Sequence, residues 1–177
     1  MRGRQSGQAL VELAASSVVL ILLLFGVVDF ARVYNADTAL QAAAREGARA
    51  AITFDGGGNA NPDLNDAAIQ PIVDNALQGA GLPATGKVID ACNGTGPQHN
   101  PPFPETDFPP AGTTGTPYLV ICYGTAGGGL PATECNPTCG GFDIAVAVVM
   151  RYPPVISGPV GPSVELLGYA HMRVQGS

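Results

Sequence analysis

The hydrophobic pattern begins with a short polar leader and a long apolar run. Residues 1–7 carry Arg2 and Arg4, and Ala9–Val28 is almost unbroken apolar sequence. As a helix that rises about 1.5 Å per residue, this run is about 30 Å long, which is the thickness of the hydrocarbon core of a bilayer. The pattern therefore predicts a transmembrane helix over residues 8–28.

The pattern after the apolar run predicts that the same helix continues outside the membrane, over residues 29–54. Small residues recur here every three or four positions and form a stripe along one side of the helix: Ala36, Ala39, Ala43, Gly47 and Ala51. Leu40 lies beside this stripe, and the arginines Arg32, Arg45 and Arg49 lie off it. Small residues allow a second element to approach closely. We expect the stripe to pack on the chain's own globular part, on other subunits, or on both over different lengths.

Residues 55–177 are expected to form a globular domain. Asn61 and Pro62 predict the start of a second helix that ends at Leu77 or Gly79 and is kinked or split at Pro71. Alternating patterns then predict four strands: Lys87–Cys92, Tyr118–Tyr123, Phe142–Tyr152 and Val164–Gln175. Because no crossover helices separate these strands, we expect an antiparallel sheet with its apolar face on the long helix. The predicted fold class is α+β.

A carboxylate, Glu12, lies near the start of the apolar run. Such a charge costs on the order of 2.5–3.5 kcal/mol at the centre of a membrane helix and less near its ends, so it usually has a partner or a role. A cleaved secretory signal is disfavoured, since the apolar core is too long and lacks a good small-x-small cleavage site. A plain single-pass anchor remains open. The third interpretation is a prepilin-like signal: a basic leader, Gly7, the cut, and Glu12 as the fifth residue of the mature chain.

Three motifs lie along the first fifty residues. They read GQALVEL at Gly7–Leu13, GVVDFAR at Gly26–Arg32 and AAREGARAA at Ala43–Ala51. Together they resemble the TadE-like family, whose members are pseudopilins of the tight-adherence (Tad, Flp) pilus system. Leu13 departs from the family pattern, in which an aromatic residue is usual. The resemblance covers residues 3–52 and is absent from residues 93–141.

The resemblance implies a pilin-like architecture and a processing event. A prepilin peptidase would cut between Gly7 and Gln8, and Glu12 would then guide docking with other pilin or pseudopilin subunits by neutralising a neighbour's N-terminal amine. The implied partners are the cytoplasmic membrane, the peptidase and those subunits. The predicted function is that of a minor pilin or pseudopilin in a pilus used for adhesion. The alternative is a membrane-anchored binding module that enters no filament.

All four cysteines follow the membrane segment, and an even number there indicates an oxidising compartment. They are Cys92, Cys122, Cys135 and Cys139. Four cysteines allow three pairings, of which we favour Cys92–Cys122 with Cys135–Cys139. A zinc site is the rival interpretation, because the Cys-x3-Cys spacing of the last two cysteines is usable for a metal. The arginines of the leader place the N-terminus inside and the globular domain outside the membrane.

Charge and motifs exclude other classes of function. The formal net charge is −6, and an acidic domain is a poor binder of nucleic acid. No phosphate-binding loop or nucleophile elbow occurs, so we predict neither an enzyme nor a cofactor. An oxygen-rich run resembles a calcium loop but lacks its glycine and its final glutamate, so no metal site is predicted. That run comprises Asp55, Asn59, Asn61, Asp63 and Asp66.

Overall fold

The structure is a computed structural model that describes residues 3–52, 66–89, 113–125, 142–155 and 163–174. Two helices and four strands follow one another in these residues. Their order is α1 (Gly3–Ile52), α2 (Asp66–Gly79), β1 (Val88–Ile89), β2 (Tyr118–Thr125), β3 (Phe142–Tyr152) and β4 (Val164–Val174). The α+β class and the long N-terminal helix predicted from the sequence are therefore confirmed.

Helix α1 is continuous over 50 residues, or about 75 Å. It starts at Gly3, five residues before the predicted start at Gln8. Arg4 and Gln5 favour helix, and no proline interrupts α1, so the leader extends the helix rather than ending it. The predicted end near Phe54 lies outside the described residues.

The small-residue stripe faces the chain's own domain. Ala36, Ala39, Ala43 and Ala51 are buried, as are Gly47 and the neighbouring Leu40. The three arginines predicted to lie off the stripe are exposed. Packing on the globular part is thus confirmed for residues 36–51. The stripe itself is therefore covered by the chain's own domain, while Arg45, Glu46 and Arg49 on the other side of the helix stay exposed.

The sheet has the order β1-β2-β3-β4. Strands β2, β3 and β4 are antiparallel, with Leu119 opposite Val148 and Val148 opposite Gly168. Strand β1 corrects the prediction, because it pairs with β2 in parallel. Parallel neighbours need a connection of about a dozen residues or more, and the chain between Ile89 and Tyr118 is long enough to provide it.

The predicted alternation in β3 and β4 is confirmed by burial. One face of the sheet packs against the two helices in a single apolar core: Leu119, Ile121, Ile144, Val146, Val148, Met150, Leu166 and Ala170. The opposite face is buried as well, in a second cluster formed by Tyr118, Val120, Cys122, Ala145, Ala147 and Val149. Burial on both faces thus holds for β2 and β3, which are apolar on both sides, whereas β4 exposes Glu165, His171 and Arg173 on the opposite face.

Of the predicted kink or split at Pro71, the split is excluded, because helix α2 is continuous through this residue; the kink stays a prediction. Pro71 lies on the exposed side, while Ile69, Val73 and Leu77 are buried in the core with α1. The helix ends in a Schellman motif: the N–H of Leu82 donates to the carbonyl of Leu77, and Gly81 takes the required positive φ of 78°. The predicted cap at Asn61 and Pro62 lies outside the described residues.

A carboxylate on α2 holds the chain that returns to the sheet. Asp74 Oδ1 accepts hydrogen bonds from the backbone N–H of Thr85 at 2.7 Å and from its hydroxyl at 2.6 Å. Gln70 Nε2 donates to the same hydroxyl at 3.2 Å. Thr85 is buried, so its two donors depend on Asp74 rather than on water.

Asp74→Ala should lower the free energy of unfolding by about 2–3 kcal/mol, since it leaves buried donors without an acceptor. Chemical unfolding of the full chain in detergent micelles, followed by far-ultraviolet circular dichroism, measures the change. Asp74→Asn keeps one oxygen acceptor and should lose less than half as much. Equal stability of the two variants would show that these hydrogen bonds contribute little.

Candidate assembly helix and its junction with the domain

The first part of α1 lies outside the core. Residues 7–28 are all exposed, and the large apolar side chains among them present about half or more of their surface. Over residues 7–52 the helix is long and apolar enough to cross a membrane, and no residue of its most apolar window is buried in the chain. This segment carries the predicted site residues Gly7, Gln8 and Glu12, which the structure places on one exposed helix.

Glycines in α1 and β4 fall into two groups when a Cβ atom is placed on each. At Gly7 and Gly26 such an atom would meet nothing within 4 Å. At Gly47 it would lie 2.7 Å from a methyl group of Val73, and at Gly168 it would overlap the backbone carbonyl of Leu40. A side chain at either of the last two glycines would therefore displace its neighbours, whereas the first two glycines have open space around them.

The contact at Gly168 is where β4 meets the backbone of α1. Because this residue has no side chain, the strand reaches the carbonyl group of Leu40 directly. Gln41 Nε2 donates to the carbonyl oxygen of Leu167 at 3.1 Å and holds the helix in the same register. The alternation in β4 puts Gly168 on the same side as Leu166 and Ala170, but nothing in the sequence identifies this contact. A glycine on the apolar face of a strand was the available signal.

A second junction ties the end of β3 to α1. The backbone N–H of Val155 donates to Asp29 Oδ1 at 3.0 Å. Asp29 comes directly after the apolar run, within the GVVDFAR motif. In the sequence, Asp29 stands out only as part of that motif. Its partner could not be predicted, because the two residues are 126 positions apart.

Charged groups lie near this end of the sheet. Arg151 Nη2 and Glu165 Oε2 are 4.0 Å apart, with side chains 38% and 46% exposed. A pair this exposed contributes little to stability. Burial, and then the negative charge of Glu165, raise the pKa of Tyr118 to about 12, against the opposing effect of Arg151. The Tyr118 phenol is therefore neutral at physiological pH.

Of the four cysteines, the described residues include Cys122 alone. It is buried in β2 and is disulfide-bonded, and its partner lies outside these residues. Cys92, Cys135 and Cys139 also lie outside them, so the favoured pairing remains a prediction. No group of three or more metal-binding side chains occurs in the part of the chain that the structure describes. Most of the oxygen-rich run at 55–66 falls outside that part.

These features define an α+β, pilin-like chain: a long helix, exposed and apolar in its first half, carries a small sheet on its second half. Residues 7–49 match the model of a family described as TadE-like protein. The match confirms the resemblance inferred from the three motifs and covers the exposed segment together with most of the small-residue stripe. A search of the curated proteins finds no match to the chain, and neither does a search of the solved structures.

Proposed function

We propose that this chain is a minor pilin or pseudopilin of a Tad-type pilus, a structural protein rather than an enzyme. The match to the TadE-like family supports an association with this pilus system. Helix α1 anchors the chain in the cytoplasmic membrane with its N-terminus inside and the globular domain outside. A prepilin peptidase cuts between Gly7 and Gln8, and the mature helix docks with other subunits of an adhesive fibre.

The observation that carries this proposal is the exposure of the segment from Gly7 to Glu12. Its glycine has open space around it, and its carboxylate lies on the exposed surface of the helix. A carboxylate in an apolar helix is retained when another group pairs with it. The N-terminal amine created by the cut in a neighbouring subunit is such a group. The buried stripe at residues 36–51 is occupied by the chain's own domain, so this free segment is where subunits meet.

Gly7→Val should leave the full-length chain in the membrane, because a peptidase that holds the backbone closely cannot accept a branched side chain at the cut. Mass spectrometry of the N-terminus, in cells with an intact assembly system, measures the processing. Gly26→Val is the matched control, since it makes the same substitution in the same helix at a second position with open space. It should be processed normally.

A wild-type chain that still carries Met1 or Arg2 in such cells would overturn the processing step. It would favour the alternative, an anchored binding module that enters no filament. Normal processing of Gly7→Val would likewise show that the cut does not depend on this glycine.

A further inference from the structure

The hydrogen bond between Val155 and Asp29 fixes one end of the sheet at a defined height along α1. Asp29 is the first residue after the apolar run that ends at Val28. Val155 lies three residues beyond the end of β3 at Tyr152. The end of β3 is therefore held where the membrane-spanning part of the helix stops.

The direction of β3 agrees with this placement. Its middle, at Val146, packs beside Gly47, while its end is tied to Asp29. The helix between Asp29 and Gly47 is about 27 Å long, and the extended chain between Val146 and Val155 spans about 30 Å. The two lengths are similar, so β3 runs alongside α1 and its last residues point back toward the apolar half of the helix.

Side chains suited to a lipid interface lie at and just beyond this height along α1. Val155 is 59% exposed, although it is apolar, and Phe30 and Tyr34 are 73% and 62% exposed on α1. Arg32 is also exposed. Aromatic residues are enriched at membrane–water interfaces, and arginine side chains there reach the phosphate groups of lipids. Phe30 extends the exposed apolar surface of residues 7–28 by two positions along the helix.

We propose that this end of the domain rests on the outer surface of the phospholipid bilayer. Val155 enters the headgroup region, and Phe30, Arg32 and Tyr34 lie on the helix within about 8 Å of the same height. The inference rests on the proposed membrane anchoring by α1 and extends it, because the domain itself becomes a second contact with lipid. A bilayer is favoured as the occupant because the patch lies at the height where the apolar run ends.

The natural chain contains no tryptophan, so one substitution creates a single fluorescent reporter. The full chain carrying Val155→Trp is reconstituted in vesicles of phosphatidylcholine brominated near the headgroup end of its acyl chains. Phe30→Trp is the reporter for the helix itself. Arg173→Trp is the control: this exposed residue pairs with Asp143 at the opposite end of the sheet. Quenching of Val155→Trp should exceed that of Arg173→Trp by about threefold or more.

A second pair of variants tests the part assigned to Asp29. The backbone donor of residue 155 survives the tryptophan substitution, so Asp29→Ala in the Val155→Trp chain removes the acceptor of this hydrogen bond and leaves its donor. Quenching should fall toward that of Arg173→Trp, whereas Asp29→Asn keeps an oxygen acceptor and should preserve most of it. Equal quenching in the presence of Asp29→Ala and Asp29→Asn would overturn the role of this hydrogen bond.

The reporters separate failure of this inference from failure of the anchor. If Phe30→Trp is quenched and Val155→Trp behaves like Arg173→Trp, the domain stands clear of the lipid and the inference is wrong, while the anchor remains. If Phe30→Trp is not quenched either, α1 does not reach this depth in the bilayer. That result would overturn both the inference and the anchoring on which it rests.

Discussion

Gly168→Ala should lower the free energy of unfolding by about 3 kcal/mol or more. The added methyl group would overlap the backbone carbonyl of Leu40, and a helical backbone cannot yield as a flexible side chain does. The adjacent hydrogen bond from Gln41 to Leu167 holds the two elements in register and opposes a shift of the strand. Chemical unfolding of the full chain in micelles measures the loss.

Alanine substitutions at two other glycines should cost less stability than Gly168→Ala, so the three variants can be ranked. Gly47→Ala meets side chains, with a methyl group of Val73 at 2.7 Å and one of Val146 at 3.2 Å, so repacking should limit its cost to about 1–2 kcal/mol. Gly79→Ala meets nothing within 4 Å and should be close to neutral. The expected order of destabilisation is Gly168, Gly47, Gly79. A Gly168→Ala chain as stable as the Gly79→Ala chain would mean that β4 does not contact the helix backbone.

Glu12→Ala should reduce recovery of the chain in sheared pili by at least about tenfold. Removing one partner of a buried ion pair costs about 3–5 kcal/mol, and each 1.4 kcal/mol corresponds to a factor of ten in an equilibrium. Membrane insertion should be unchanged or improved, because the variant places no charge in lipid. Immunoblots of the sheared fraction and of the membrane fraction measure the two quantities separately.

Leu13→Ala is the matched control for Glu12→Ala. Leu13 is the neighbouring residue on the same exposed helix, with 67% of its surface accessible, and its truncation changes packing without removing a charge. It should assemble far better than Glu12→Ala. If Glu12→Ala is recovered in sheared pili at the wild-type level, the proposed role of this carboxylate in assembly is wrong.

Elements set by local patterns could be predicted from the sequence. The bounds of β3 were predicted at Phe142 and Tyr152 as observed, because a strict period of two ends at paired prolines. The buried side of α1 followed from the spacing of its small residues. The direction of β1 could not be predicted, since alternation shows which face a side chain takes but not which way a neighbouring strand runs.

The junctions between helix and sheet depend on contacts between distant parts of the chain. Asp29 meets Val155, and Gln41 meets Leu167, each across 126 positions. Nothing in the local pattern of either residue identifies its partner. The family resemblance identified Gly7, Gln8 and Glu12 as candidates, and the structure adds that their segment is left uncovered by the domain.

Because α1 is continuous, a tilt of its first part moves the domain that packs on its second part. No proline interrupts this helix, and the part from Asp29 to Ile52 is about 36 Å long. A tilt of about 20°, average for membrane helices, would carry Ile52 sideways by about 12 Å. If α1 spans the membrane as proposed, a change in bilayer thickness or a docking neighbour that tilts residues 8–28 would therefore swing the domain that follows them. On that proposal, the tilt of the helix within the lipid sets the orientation of the domain.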